Sequence, residues 1–218
     1  GRRWTVQVGQ RMRRLLWLKA IGISLFMWVF FIAYFHLLRN PAHPIIEMPL
    51  TALDRAITFQ PAALVPYVSL WLYVGIAPGL LLSFRQLFVY GLWSAALCLT
   101  GLAFFYFAPS AVPPLINGPD LANYPAFAML QGVDAAGNAC PSLHVATAMF
   151  AAVWVDHLLR GVGAPRLLRA VSAIWFMLIV YSTLAIKQHV VLDVLAGVLL
   201  GLVFAWGSLR WRPADPRT

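Results

Sequence analysis

Charge is what this chain has least of. Only 11% of its 218 residues are Asp, Glu, Lys or Arg, where a soluble domain carries about a quarter. The apolar share is 61% and the mean hydropathy is +0.78, which excludes an ordinary water-soluble globule. Acidic residues are scarcer still, 7 against 16 Lys and Arg, for a formal net charge of +9. That balance raises nucleic acid as a partner. The basic residues, however, do not interleave along a binding face; they gather between apolar runs, as membrane topology requires, so no nucleic-acid partner is expected. Two cysteines make no disulfide framework: Cys98 lies inside an apolar run and Cys140 beside polar residues.

The apolar runs are long enough to cross a bilayer, which takes about 20 residues in a helix. Six are expected: Leu15 to Leu38, Ala62 to Phe84, Leu87 to Ala108, Ser142 to Leu159, Leu168 to Ile186, and His189 to just before Arg210. The first follows a basic start (residues 1–14). It is too long for a signal-peptide core and ends without a small-residue cleavage site, so it reads as a membrane span. Pro78-Gly79 is expected to bend the second. Ala52 to Phe59 reads as a short interfacial helix. The expected fold is therefore all-α, an integral membrane bundle of six transmembrane helices in a single domain over 1–218, with a tail at 210–218. With the amino terminus inside, every Lys and Arg except Arg39, Arg55 and Lys187 falls on one side. That asymmetry predicts cytoplasmic termini, and it puts residues 109–141 and the junction near 187–189 together on the outer side. The 109–141 segment contains no Lys or Arg and is expected to cover the site there.

Two stretches concentrate chemistry. Ser182-Thr-Leu-Ala-Ile-Lys187-Gln-His189-Val-Val-Leu-Asp193 sets a lysine, a histidine and an aspartate close together in an apolar context. His189 and Asp193 are four apart; on one helix they share a face, and the carboxylate accepts the Nδ1–H of the imidazole. That bond makes the other ring nitrogen nucleophilic. Lys187 adds a positive charge suited to an anionic electrophile such as a phosphate ester. The second stretch is Cys140-Pro141-Ser142-Leu143-His144. It reads as a helix start with Pro141 in the first turn, a place where free N–H groups bind anions and where His144 is able to protonate a leaving oxygen.

Together these stretches resemble the type 2 phosphatidic acid phosphatase superfamily, which includes the vanadium haloperoxidases. Pro141-Ser142-Leu143-His144 stands in the place of its Pro-Ser-Gly-His motif. Ser182, His189 and Asp193 match the spacing of its Ser-Arg, five residues, His, three residues, Asp motif, with Thr183 where the arginine is expected. The family's first motif, a lysine followed after six residues by Arg-Pro, is not found; Tyr106 to Pro114 precedes Pro141 without a basic residue. The Pro-Ser-Leu-His and Lys-Gln-His forms look more like the branch that contains inositol phosphorylceramide synthases. The resemblance implies metal-independent phosphoryl transfer on a lipid phosphate, with no cofactor. His189 would be the nucleophile, Asp193 its orienting carboxylate and His144 the acid. Lys187, Ser142, Ser182, Thr183 and Arg55 are the candidates for holding the phosphate.

Other readings stand beside this one. Two imidazoles and a carboxylate also suit iron or zinc. A hydroxyl acceptor in place of water would make a phosphotransferase or headgroup-transfer synthase, and a scaffold without catalysis would bind or move lipids. Cys140 reads as a small packed residue more readily than as a nucleophile. Asp156 and His157 lie a helix length from His144 and read as interfacial. Arg55 would pair with Asp54 or a lipid headgroup if it does not reach the substrate phosphate. The partners expected are the bilayer and a lipid phosphate, and the compartment implied is a bacterial inner membrane with the site facing out. The Gly197-x-x-x-Gly201 pair permits close helix packing.

Overall fold

The computed structural model describes residues 2–114, 124–125 and 137–214. Among these it is helical, with two two-residue strands. The chain opens with α1 (Arg2–Arg13) and α2 (Leu16–Arg39), and then a short strand β1 (Ile46–Glu47). After α3 (Ala52–Ala56), a 3-10 turn at Pro61–Ala63 leads through α4 (Leu64–Val68) into α5 (Leu70–Gly79). Then come α6 (Phe84–Phe107), β2 (Ser110–Ala111), α7 (Leu143–Gly161), α8 (Arg166–Ala185) and α9 (Val191–Arg210). Leu16–Arg39, Pro61–Gly79, Phe84–Phe107, Arg166–Ala185 and Val191–Arg210 are each long and apolar enough to cross a membrane. The protein is thus a multi-pass helical membrane bundle.

α7 covers the remaining expected span, and His144, Asp156, His157 and Arg160 keep it short of the same apolarity. It runs through the middle of the bundle, packed by α5, α6, α8 and α9. Val145, Ala146, Ala148 and Ala151 are fully buried. Protein covers this helix, so small residues serve it better than the large apolar ones a lipid-facing surface takes. The outer helices are the reverse: Trp17, Trp28, Leu195, Leu199 and Trp206 are all exposed.

Boundaries moved where local hydrogen bonds overrode apolar runs. The second span ends at Gly79, with Pro78 in its last turn and no helix beyond it to bend. Residues 80–83 form the connection, and α6 begins at Phe84. There Ser83 accepts from Gln86 N–H while the Gln86 side chain accepts from Ser83 N–H, a capping box. Arg85-Gln86, read as a connection from sequence, is the first turn of that helix. The basic start is itself a helix, separated from α2 by Leu15 in the left-handed region (φ 56°). Its Arg11 is buried and donates to the Leu80 carbonyl. Lys19 is also buried, and its ammonium donates to the carbonyls of Arg11 at 2.7 Å and Gly79 at 2.6 Å. These bonds knit α1, α2 and α5 at one end of the bundle.

The opposite end carries a small layer of extended chain. β1 and β2 pair in parallel, with Ile46 opposite Ser110, and Ser110 also bridges to Asn138. The Ser110 hydroxyl accepts from Cys140 N–H at 2.8 Å. Both ends of the 109–141 segment are thereby tied together just before α7. Its middle, including Asp120 and Asp134 and the expected cover over the site, lies outside the described residues. Of the part described, Tyr124 rests edge-on against Phe59.

At the α7–α9 crossing the two backbones come close, and Gly197 and Gly201 allow it. A Cβ at Gly197 would lie 2.5 Å from the Ser142 carbonyl oxygen, and one at Gly201 would lie 2.5 Å from that of Ala146. The pair noticed in the sequence is a backbone-contact seam, and it brings the start of α7 against the start of α9.

Candidate active site

The site is built from two chain reversals at the same end of the bundle. The first ends α8. Lys187 N–H donates to Leu184 O and Gln188 N–H to Thr183 O, the bond pattern of a Schellman motif. Lys187 takes the left-handed position (φ 61°) where glycine is usual, at a cost of roughly 1–2 kcal/mol. His189 N–H also donates to Thr183 O, at 3.1 Å, so the turn is doubly anchored.

The helix α9 starts only at Val191, so His189 lies outside it, contrary to the shared-face expectation. Contact with Asp193 arises differently. Asp193 is the third residue of the helix and reaches back over its start. One carboxylate oxygen accepts from Val190 N–H at 2.7 Å; the other meets His189 Nδ1 at 2.8 Å. Asp193 is fully buried, and His189 nearly so at 9% exposure. A single carboxylate therefore starts the helix and orients the imidazole, leaving Nε2 as the ring nitrogen free to react.

The second reversal starts α7. Ser142 is its N-cap: the hydroxyl accepts from Val145 N–H at 3.2 Å. Pro141 stands before the helix, and not within its first turn as the sequence reading placed it. Ser142 N–H donates to the Asp193 carbonyl at 3.0 Å, so the two motifs are joined by a backbone hydrogen bond. His144 sits in the first turn. Its ring stacks on Tyr67 with centroids 4.1 Å apart and planes at 10°, and Trp71 meets it edge-on. Its Nε2 is buried without a hydrogen-bond partner among the described residues. Such an atom is costly unless a ligand or water satisfies it. Leu143, where the family motif has glycine, is accommodated from across the bundle: a Cβ at Gly101 of α6 would lie 2.3 Å from Leu143 Cδ2.

Both histidines line a cavity of ≈ 970 Å³ between α2, α5, α6 and α7. The remaining candidates fall in three groups. Ser182 and Thr183 are fully buried, and their hydroxyls donate to Ile179 O and Val180 O, so neither proton is offered to an anion. The Lys187 ammonium donates to the Asp54 carbonyl at 2.9 Å and to that of Ile57. Burial lowers its pKa, opposed by the nearby Asp54 carboxylate. Arg55 is exposed on α3. Cys140 has its thiol pKa raised, by burial and then by the Asp193 charge, which suits a packed thiol more than a nucleophile. At the far end of α7, Asp156 is bonded to Arg160 at 2.7 Å and Arg169 at 2.6 Å.

Asp54 is the part that sequence reasoning missed. Its Oδ2 accepts from Thr51 N–H and Thr51 Oγ1–H, and its Oδ1 accepts from Val191 N–H at 2.8 Å. It does not pair with Arg55. With the Lys187 bonds it clamps α3 onto the turn that carries His189. Thr51-Ala-Leu-Asp54 has the spacing of a capping box, so the local half of this role was readable; the bond to Val191 was not.

An imidazole held on a buried carboxylate, a second imidazole nearby and an apolar cavity between membrane helices define a candidate enzyme site for an amphiphile. The chain belongs to the PAP2 superfamily, whose family profile matches residues 21–217. No curated protein and no solved structure gives a significant match. Membership makes this a membrane protein of the phosphatase and phosphotransferase type.

Proposed function

We propose that this protein is a metal-independent lipid phosphatase that works through a phosphohistidine. The observation that carries the reading is the His189–Asp193 bond at 2.8 Å, set in a cavity that His144 also lines. His189 Nε2 attacks phosphorus, the N–P bond forms and the bond to the lipid oxygen breaks. His144 delivers its proton to that oxygen, and the lipid alcohol leaves. Water then attacks phosphorus with His144 as base, releasing phosphate and restoring His189. Asp193 holds the ring and stabilises its positive charge. The N–H groups at the start of α7 stabilise the phosphate oxygens, and Lys187 holds α3 against the turn that carries His189. Arg55, on the helix clamped to the His189 turn, is the cation for the headgroup in place of the missing first motif.

In the same reading α7 is the sixth span and the termini are cytoplasmic. The site then faces the outer side of the membrane, as the basic residues predict, which fits a bacterial inner membrane. The Leu143 variant of the motif supports a second reading, transfer of the phosphoryl or head group to a hydroxyl acceptor.

The test is a detergent-micelle assay of the purified protein against a panel of lipid phosphates with a strong chelator present, alongside His189→Ala. Phosphate release that survives chelation and vanishes in the variant is the expected result. A new phosphodiester without free phosphate moves the assignment to transfer, loss of activity with chelator moves it to a metal site, and turnover unchanged in His189→Ala sinks the phosphohistidine.

A further inference from the structure

The cavity is far deeper than the site at its end. Along α2 its lining runs from Leu18 to Phe35, about 26 Å of helix at ~1.5 Å per residue. The hydrocarbon core of a bilayer is about 30 Å thick, so a glycerolipid with its phosphate at one interface fills only about half of that depth. The cavity continues to Pro78 and Phe84, where α5 ends and α6 begins. At that end Lys19 lines the cavity while its ammonium is held by the Arg11 and Gly79 carbonyls. Two glycines line this far half, Gly22 on α2 and Gly91 on α6. A Cβ at either would meet nothing within 4 Å. Neither is needed for helix contact, and each widens the space.

We propose that the substrate is a lipid phosphate or pyrophosphate whose single chain is longer than one leaflet, of the polyisoprenyl type. The chain runs inside the protein past the midplane toward Gly22 and Gly91. This rests on the assignment of His144 and His189 as the phosphate end; what it adds is the length of the chain and where its tip lies.

Two readouts test it on the full chain. The first is phosphate release from farnesyl, geranylgeranyl and undecaprenyl phosphates and from a diacyl phosphatidic acid. It is measured for the wild type, Gly22→Phe and Gly91→Phe, with Gly75→Phe as control. Gly75 also has nothing within 4 Å but does not line the cavity. The wild type is expected to favour the longer prenyl chains over farnesyl and over the diacyl lipid. Filling the far half should lower the long-to-short ratio by about tenfold or more, and the control should keep it. The second readout is photocrosslinking with a polyprenyl phosphate carrying a diazirine on its terminal isoprene unit. Crosslinks are expected in the peptides around Gly22 and Gly91. Crosslinks confined to the Tyr34 and Tyr67 end, or none, overturn the inference, as does a ratio unchanged in both cavity variants. Far-end crosslinks without phosphate release keep the chain site and refute the phosphatase. Release indifferent to chain length, with crosslinks only at the near end, does the reverse.

Discussion

Replacing Gly197 by alanine is the sharpest test of how the two motifs are brought together. The added Cβ would stand 2.5 Å from the Ser142 carbonyl oxygen, 3.2 Å from Val145 Cβ and 3.3 Å from Ser142 Cβ. Comfortable contact begins near 3.5 Å, so the start of α7 must retreat by about 1 Å. The carbonyl cannot swing aside, because it accepts from Ala146 N–H at 2.9 Å. The retreat also stretches the bond from Ser142 N–H to the Asp193 carbonyl, now 3.0 Å. Overpacking of this kind costs about 1–3 kcal/mol, partly offset by the ~1 kcal/mol that alanine gains over glycine within a helix. The fold should survive with a modest loss of stability. The rate should not: His144 moves with α7 while Asp193 stays on α9, and a displacement of about 1 Å between reacting groups costs on the order of 100-fold. Phosphate release at saturating lipid phosphate and thermal unfolding in the same micelles would separate the two effects. Gly75→Ala, with nothing within 4 Å of the new Cβ, serves as control and should keep the wild-type rate. A Gly197→Ala enzyme within about twofold of wild type would refute the claim that this seam sets the site's geometry.

Three further outcomes follow from the same contacts. Asp193→Asn should lower turnover by roughly 10⁴-fold through loss of the His189 orientation, and acid-quenched labelling should find no phosphoenzyme; Asp193→Ala should in addition lose the helix-start bond to Val190, about 1 kcal/mol of stability. Gly101→Ala should cost about 1–3 kcal/mol by driving into Leu143, and Leu143→Ala should relieve it. A thermal-unfolding cycle over the two positions is expected to show a coupling of about 0.5–3 kcal/mol, and strict additivity would show that Leu143 does not pack into the space left by Gly101. Lys187→Gly relieves the left-handed turn by about 1 kcal/mol but gives up two bonds from a charged donor to α3, each about 1.5–3 kcal/mol. The net expectation is a lower melting temperature with α3 loosened, read as faster amide exchange over 52–57.

Much of this protein was decided by composition and short-range pattern. A charged share of 11% leaves no surface for a soluble fold, so membrane helices were legible, and the family followed from two short motifs. The spacing of His189 and Asp193 put an imidazole and a carboxylate in reach of each other. Caps were written locally too, in Thr51-x-x-Asp54 and Ser83-x-x-Gln86, because a side chain three residues from a helix start finds the free N–H groups there.

What only the tertiary structure decided depends on contacts far apart in the chain. No local rule says that Asp54 holds Val191 N–H across 137 residues. Nor does one say that Lys187 spends its charge on the carbonyls of Asp54 and Ile57. The hydroxyls of Ser182 and Thr183 looked like phosphate ligands from their motif positions, yet at the buried end of α8 they donate to carbonyls one turn back. The room for Leu143 is provided by Gly101, 42 residues earlier on another helix, where a Cβ would lie 2.3 Å from Leu143 Cδ2. The depth of the cavity belongs to no single segment. It exists because α2 packs on α5 and α6 without filling the space between them, and that spacing is set by the packing of whole helices.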